Sequence, residues 1–118
     1  MVKAAGIDEE EVTIERTTGS VYQALGYPDA DEMERKSRLV SIINETISAK
    51  GYTQTHAAEI VGLDQPTLSK LLRGRFRSVS LDKLAQILNA LGRDVTIVVG
   101  AAVGDEKGRG KTLVATVQ

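Results

Sequence analysis

The chain predicts a mainly α fold: a compact bundle of about five helices followed by a C-terminal β-strand. Three observations carry this. Apolar residues recur at helical spacing through most of residues 29–91. Helix-stopping glycines stand at Gly26, Gly51, Gly62, Gly74 and Gly92. Then β-branched residues take over in DVTIVV, Asp94 to Val99. With 118 residues the chain suits one modest core. One Phe, three Tyr and no Trp leave that core to aliphatic side chains.

The elements follow in order. Residues 1–18 read as an acidic N-terminal tail, in which Val12 and Ile14 alternate with polar neighbours over a short strand. Ser20 with Gln23 forms a capping-box pattern for a first helix, Ser20 to Gly26, and Pro28 forbids its continuation. The pair Asp29 and Glu32 opens the longest helix, which runs to about Lys50. Its apolar stripe is Met33, Leu39, Val40, Ile43 and Ile47, with Lys36 and Arg38 off the stripe. Two short helices follow within Thr53 to Gly74, and a last one, Leu81 to Leu91, is capped by Ser80. The domain thus spans 19–99, including the strand 94–99. Residues 100–118 read as a Gly-rich tail with a further strand pattern at Thr112 to Val117.

The stretch TQTHAAEIVGLDQPTLSKLLRG, Thr53 to Gly74, carries the functional signal. Thr53 is placed to cap its first helix by accepting from the backbone N–H of Thr55 or His56. Ala57, Ala58, Ile60 and Val61 give a small apolar face that another helix can approach closely. Gly62 then turns the chain into a second helix that starts at Asp64 or Gln65. Asp64 is the better capping side chain, while Pro66 pushes Gln65 away from helical dihedrals. Leu68, Leu71 and Leu72 face the core, and Pro66, Ser69, Lys70 and Arg73 face outward. From Gln65 to Arg77 there are four basic residues, Lys70, Arg73, Arg75 and Arg77, and no carboxylate. Two short helices hinged at a glycine, the second with a basic outer face, are what a helix-turn-helix needs to set one helix in a DNA groove.

At this point the chain resembles the phage-repressor class, the XRE family. The resemblance lies in the threonine-glutamine helix start, Ala58, Gly62, Leu68, Ser69, the Arg73-Gly74 ending and the later leucine-rich helix. It implies a lambda-repressor-like bundle. The wider frame, GSVYQALGYPDADE before the long helix and LGRDVTIVV after the last, is similar to a HigA-like subgroup with many antitoxins. The likeness spans roughly Gly19 to Val99. One departure is Leu72, where many repressors carry a glutamate that ties the recognition helix to its neighbour.

Chemistry assigns the outward residues. Gln65, near the helix start, offers a donor and an acceptor to an adenine edge, and Lys70 one turn on can donate to guanine O6 and N7. Pro66 can only pack against a base. By the resemblance Gln65, Pro66 and Lys70 match positions that reach base edges; Thr67 and Ser69, between them, are expected at base edges as well. Gln54, Arg73, Arg75 and Arg77 suit phosphates, which supply affinity and register. The net charge of −1 conceals segregation. Residues 1–34 hold Asp8, Glu9, Glu10, Glu11, Glu15, Asp29, Asp31, Glu32 and Glu34 against Lys3 and Arg16, whereas the basic patch is local.

Other chemistries find no support. There is no cysteine, and His56 is the sole histidine, so neither a metal nor another cofactor is expected. The string GRGKT, Gly108 to Thr112, fails as a phosphate loop because Asp105 stands where its first glycine belongs. Ser80 with Lys83 mimics a catalytic pair, but helix capping explains the serine. No catalytic constellation remains, so the protein is not expected to be an enzyme. No segment has the length of a membrane span, which sets the cytoplasm as the expected location.

The sequence therefore points to a sequence-specific DNA-binding regulator, a repressor acting on a double-stranded operator with inverted repeats. The strand 94–99 needs a partner: Val12 to Arg16, Thr112 to Val117, or the same strand of a second copy. Pairing between copies would make a homodimer through Val95, Ile97 and Val99. The antitoxin resemblance implies a small ribonuclease toxin as partner. The rival reading is a protein-interaction module that neutralises a partner without reading DNA.

Overall fold

The computed structural model describes residues 12–14, 29–101 and 110–117. They divide into two compact units, a helical one over 29–95 and a second made by 12–14 with 96–101 and 110–117. The helical unit contains α1 (Ala30–Ala49), α2 (Gln54–Val61), α3 (Gln65–Leu72) and α4 (Leu81–Ala90). The expected helix Ser20 to Gly26 lies outside the described residues, so the bundle has four helices among those described.

Helix α1 packs on α4 and α3, and α2 packs on α3 and α4, so the helix-turn-helix pair rests on a platform of the two outer helices. Ile43, Leu68, Leu84, Ile87 and Leu91 are the largest fully buried side chains. Each contributes about 1.5–3 kcal/mol by leaving water. Ala57 and Ala58 are also buried, and their small size lets the helices approach closely.

The caps follow local chemistry. Thr53 accepts from the His56 backbone N–H at 3.0 Å, and Ser80 accepts from the Lys83 N–H at 3.0 Å. Gly62 takes the left-handed turn between α2 and α3 with φ 77°, a conformation that costs glycine no Cβ clash. Leu63 N–H closes that turn on the Ala58 carbonyl at 3.0 Å.

Three expectations are corrected. The capping box at Asp29 does not form: Asp29 precedes α1 without a side-chain cap bond, and its carboxylate turns to Arg77. Lys36 is not off the buried stripe; it is itself buried, 5 % exposed, with its ammonium bonded within the fold. The strand expected at 94–99 is absent, because β-branched residues make a strand only where a ladder partner is present. Two of the partners considered for it pair with each other. In the second unit β1 (Val12–Ile14) runs antiparallel to β2 (Ala115–Val117), with Thr13 opposite Thr116. Val95, Ile97, Val98 and Val99 remain exposed, Ile97 at 86 % and Val99 at 89 %.

Candidate nucleic-acid interface

Helix α3 buries Leu68 and Leu71 and leaves Leu72 half-buried, which fixes its rotation. Gln65, Pro66, Thr67 and Lys70 are then exposed on its outer side, with Ser69 half-buried beside them. The helix begins at Gln65 with Asp64 as the preceding cap residue, and Pro66 falls in the first turn, where a missing N–H leaves no gap in the ladder. Asp64 makes no side-chain bond to a backbone N–H. It accepts instead from the Thr67 hydroxyl at 2.5 Å. That bond, with a smaller contribution from the Lys70 charge, holds the Asp64 carboxyl below its ordinary range. Thr67 therefore has its hydroxyl proton committed and keeps acceptor capacity for a base.

The two helices of the pair touch through their first residues. Gln65 Nε2 donates to Gln54 Oε1 at 3.1 Å on the exposed surface. Gln54 thereby braces a residue expected to read a base, while its own amide N–H groups stay available to a phosphate. At the other end of α3 the Arg75 N–H donates to the Lys70 carbonyl at 3.0 Å, and the Gly74 N–H to the Leu71 carbonyl at 3.1 Å. Gly74 has φ 107°, a turn that a side chain would strain. Phe76 then enters the core, 3 % exposed, between exposed Arg75 and Arg77. It plugs the bundle and is not presented to DNA.

The basic residues differ in what holds them. Lys70, Arg73 and Arg75 are exposed and form no ion pair with another described residue. Arg77 donates through Nη1 to Asp29 Oδ2. This bond holds the Asp29 carboxyl below its ordinary range. The Arg77 carbonyl in turn accepts from Lys36 Nζ at 2.7 Å, and Glu32 lies 3.6 Å from the same ammonium. Asp29 and Lys36 are absent from the sequence reading of the site. Lys36 had a readable signal: it completes the 3-4-3-4 spacing of Met33, Val40, Ile43 and Ile47. The expected interface residues Val95, Ile97 and Val99 lie outside this face in sequence, and they are exposed.

His56 is exposed on α2, with the Tyr52 ring edge-on to it at 4.9 Å between centroids. Among the described residues no group of three His, Cys, Asp or Glu is placed to hold a metal ion. Among them also, no helix is long and apolar enough to cross a membrane.

Comparison with known proteins agrees with this geometry. A family model described as a helix-turn-helix domain matches residues 21–100. A solved structure described as "Putative XRE Family Transcriptional Regulator" matches with a TM-score of 0.63 and 32% sequence identity, covering 77% of this chain and 99% of its own. No curated protein matches. With Gly62 turning a small-residue helix into one that shows Gln65 and Lys70 to solvent, and with the family model spanning most of the chain, this protein belongs to the XRE helix-turn-helix family.

Proposed function

We propose that the protein is a sequence-specific DNA-binding transcriptional repressor that places α3 in the major groove of a double-stranded operator. The observation that carries this is one exposed surface: Gln65, Pro66, Thr67 and Lys70, followed by Arg73 and Arg75, which are exposed and form no ion pair with another described residue. Gln65, Pro66, Thr67, Ser69 and Lys70 meet base edges, while Gln54, Arg73 and Arg75 grip phosphates. Arg77, whose Nη1 also binds Asp29 Oδ2, joins them at the phosphates. Electrophoretic shifts with operator and scrambled duplexes test the reading. Preference for the operator is expected, and equal or no binding would refute it.

Dimerisation belongs to the same proposal. One recognition helix reads few base pairs, and a two-fold dimer reads two half-sites about 34 Å apart. Val95, Ile97 and Val99 form an exposed apolar run that antiparallel pairing with a second copy would cover. The operator then carries inverted repeats. The HigA-like resemblance supports an antitoxin setting, in which the protein neutralises a small basic ribonuclease and represses its own operon. The nine acids among residues 1–34 supply a charge suited to such a toxin. The alternative, an interaction module without DNA reading, draws on the same apolar run, and the shift assay separates the two.

A further inference from the structure

We infer that Lys36 is a positioning residue for DNA binding: a covered side chain of α1 that fixes the loop carrying Arg75 without touching DNA. The inference rests on the proposed DNA-binding reading of α3 and that loop. A buried ammonium is costly unless its donors are used, and here Nζ meets the Arg77 carbonyl at 2.7 Å and Glu32 Oε2 at 3.6 Å. Position 36 lies on the apolar stripe of α1, so a methionine would serve packing without that cost. What lysine adds is one directional bond to a loop carbonyl 41 residues away in sequence.

That bond ties the loop directly to α1. After the Arg75 N–H meets the Lys70 carbonyl, the loop is held by the buried Phe76 ring, the Val79 N–H on the Phe76 carbonyl at 3.0 Å, the Lys36–Arg77 bond and the Arg77–Asp29 pair. Losing the Lys36 donor would leave the Arg77 carbonyl without it and loosen the backbone two residues from Arg75. Lys36 is 5 % exposed and its ammonium is occupied, so a direct phosphate contact is not available to it.

A double-mutant cycle on the full chain tests this, with Lys36→Met, Arg75→Ala and the double variant assayed on operator DNA over a range of salt. Circular dichroism certifies folding below each melting point. Lys36→Met is expected to bind roughly tenfold more weakly and to lower the salt slope by about one, although it removes no phosphate contact of its own. In the Arg75→Ala background the same change should add little. Lys36→Gln, which keeps a shorter neutral donor, should fall between wild type and Lys36→Met. Additive losses, or a folded Lys36→Met with wild-type affinity and slope, would overturn the inference. Failure of both Lys36 variants to fold would also overturn it, making the residue one of stability alone. A wild type that binds no DNA would instead sink the DNA-binding reading itself, before any variant is compared.

Discussion

Gln54 and Gln65, eleven residues apart in sequence, are joined on the protein surface by a 3.1 Å bond from Gln65 Nε2 to Gln54 Oε1. A side chain suited to a phosphate thus orients one suited to a base. Gln54→Ala is expected to weaken binding to all duplexes and also to erode discrimination at the base that Gln65 reads. A cycle with Gln65→Ala should show coupling of about 0.5 kcal/mol or more. Strict additivity in competition titrations would mean that the bond does nothing on DNA.

Lys70 and Arg75 separate reading from gripping. Lys70→Ala should cost about 1–3 kcal/mol on the operator and relax its sequence preference. Arg75→Ala should weaken operator and scrambled DNA alike and reduce the salt slope by about one. Equal losses on both duplexes for both variants would remove Lys70 from base reading.

Asp29 competes with phosphate for Arg77. In Asp29→Asn the carboxylate charge beside the guanidinium is removed, so affinity for non-operator DNA should rise and the salt slope steepen by about one. The same pair gives a pH signature. Its folded-state carboxyl lies below the ordinary 3.8, so its stabilisation is complete above that value and is lost as pH falls through the lowered one. Acid melts of wild type should show that loss, and those of Asp29→Asn should lack it. Identical acid limbs would show that the pair does not contribute.

Leu68 is fully buried. Leu68→Asp places an unpaired carboxylate in the core and should cost roughly 3 kcal/mol or more, abolishing the helical signal along with binding. A folded variant by circular dichroism would mean that α3 can rotate its leucines outward.

Ile97 tests assembly. Proline there removes a ladder donor, so Ile97→Pro should yield monomers with much weaker operator binding if the run 95–99 pairs between copies. Light scattering at micromolar concentration decides it. A monomeric wild type or an unchanged dimeric variant would dismiss this mode of assembly.

What could be read from sequence was what local chemistry controls. Thr53 and Ser80 cap because a hydroxyl three residues before a free N–H has that partner within reach, and Gly62 turns because glycine alone does so without strain. Leu68 and Leu84 lie inward because their spacing leaves no alternative face. What local chemistry could not supply were the non-local partners. A lysine and an aspartate are ordinarily solvated, and nothing near Lys36 or Asp29 in sequence announces Arg77, 41 and 48 residues away. The run 94–99 failed differently: β-branched composition reports a fit to a pleated surface, and that surface must come from elsewhere.

Phe76 bears on the thermodynamics of association. Its buried ring anchors the segment between Arg75 and Arg77 before any ligand arrives. Ordering this loop is therefore a cost of the protein's own folding and is not charged to complex formation. Calorimetry of DNA association should accordingly show a heat-capacity change near that of rigid docking, without the large negative value that accompanies a segment folding on its target.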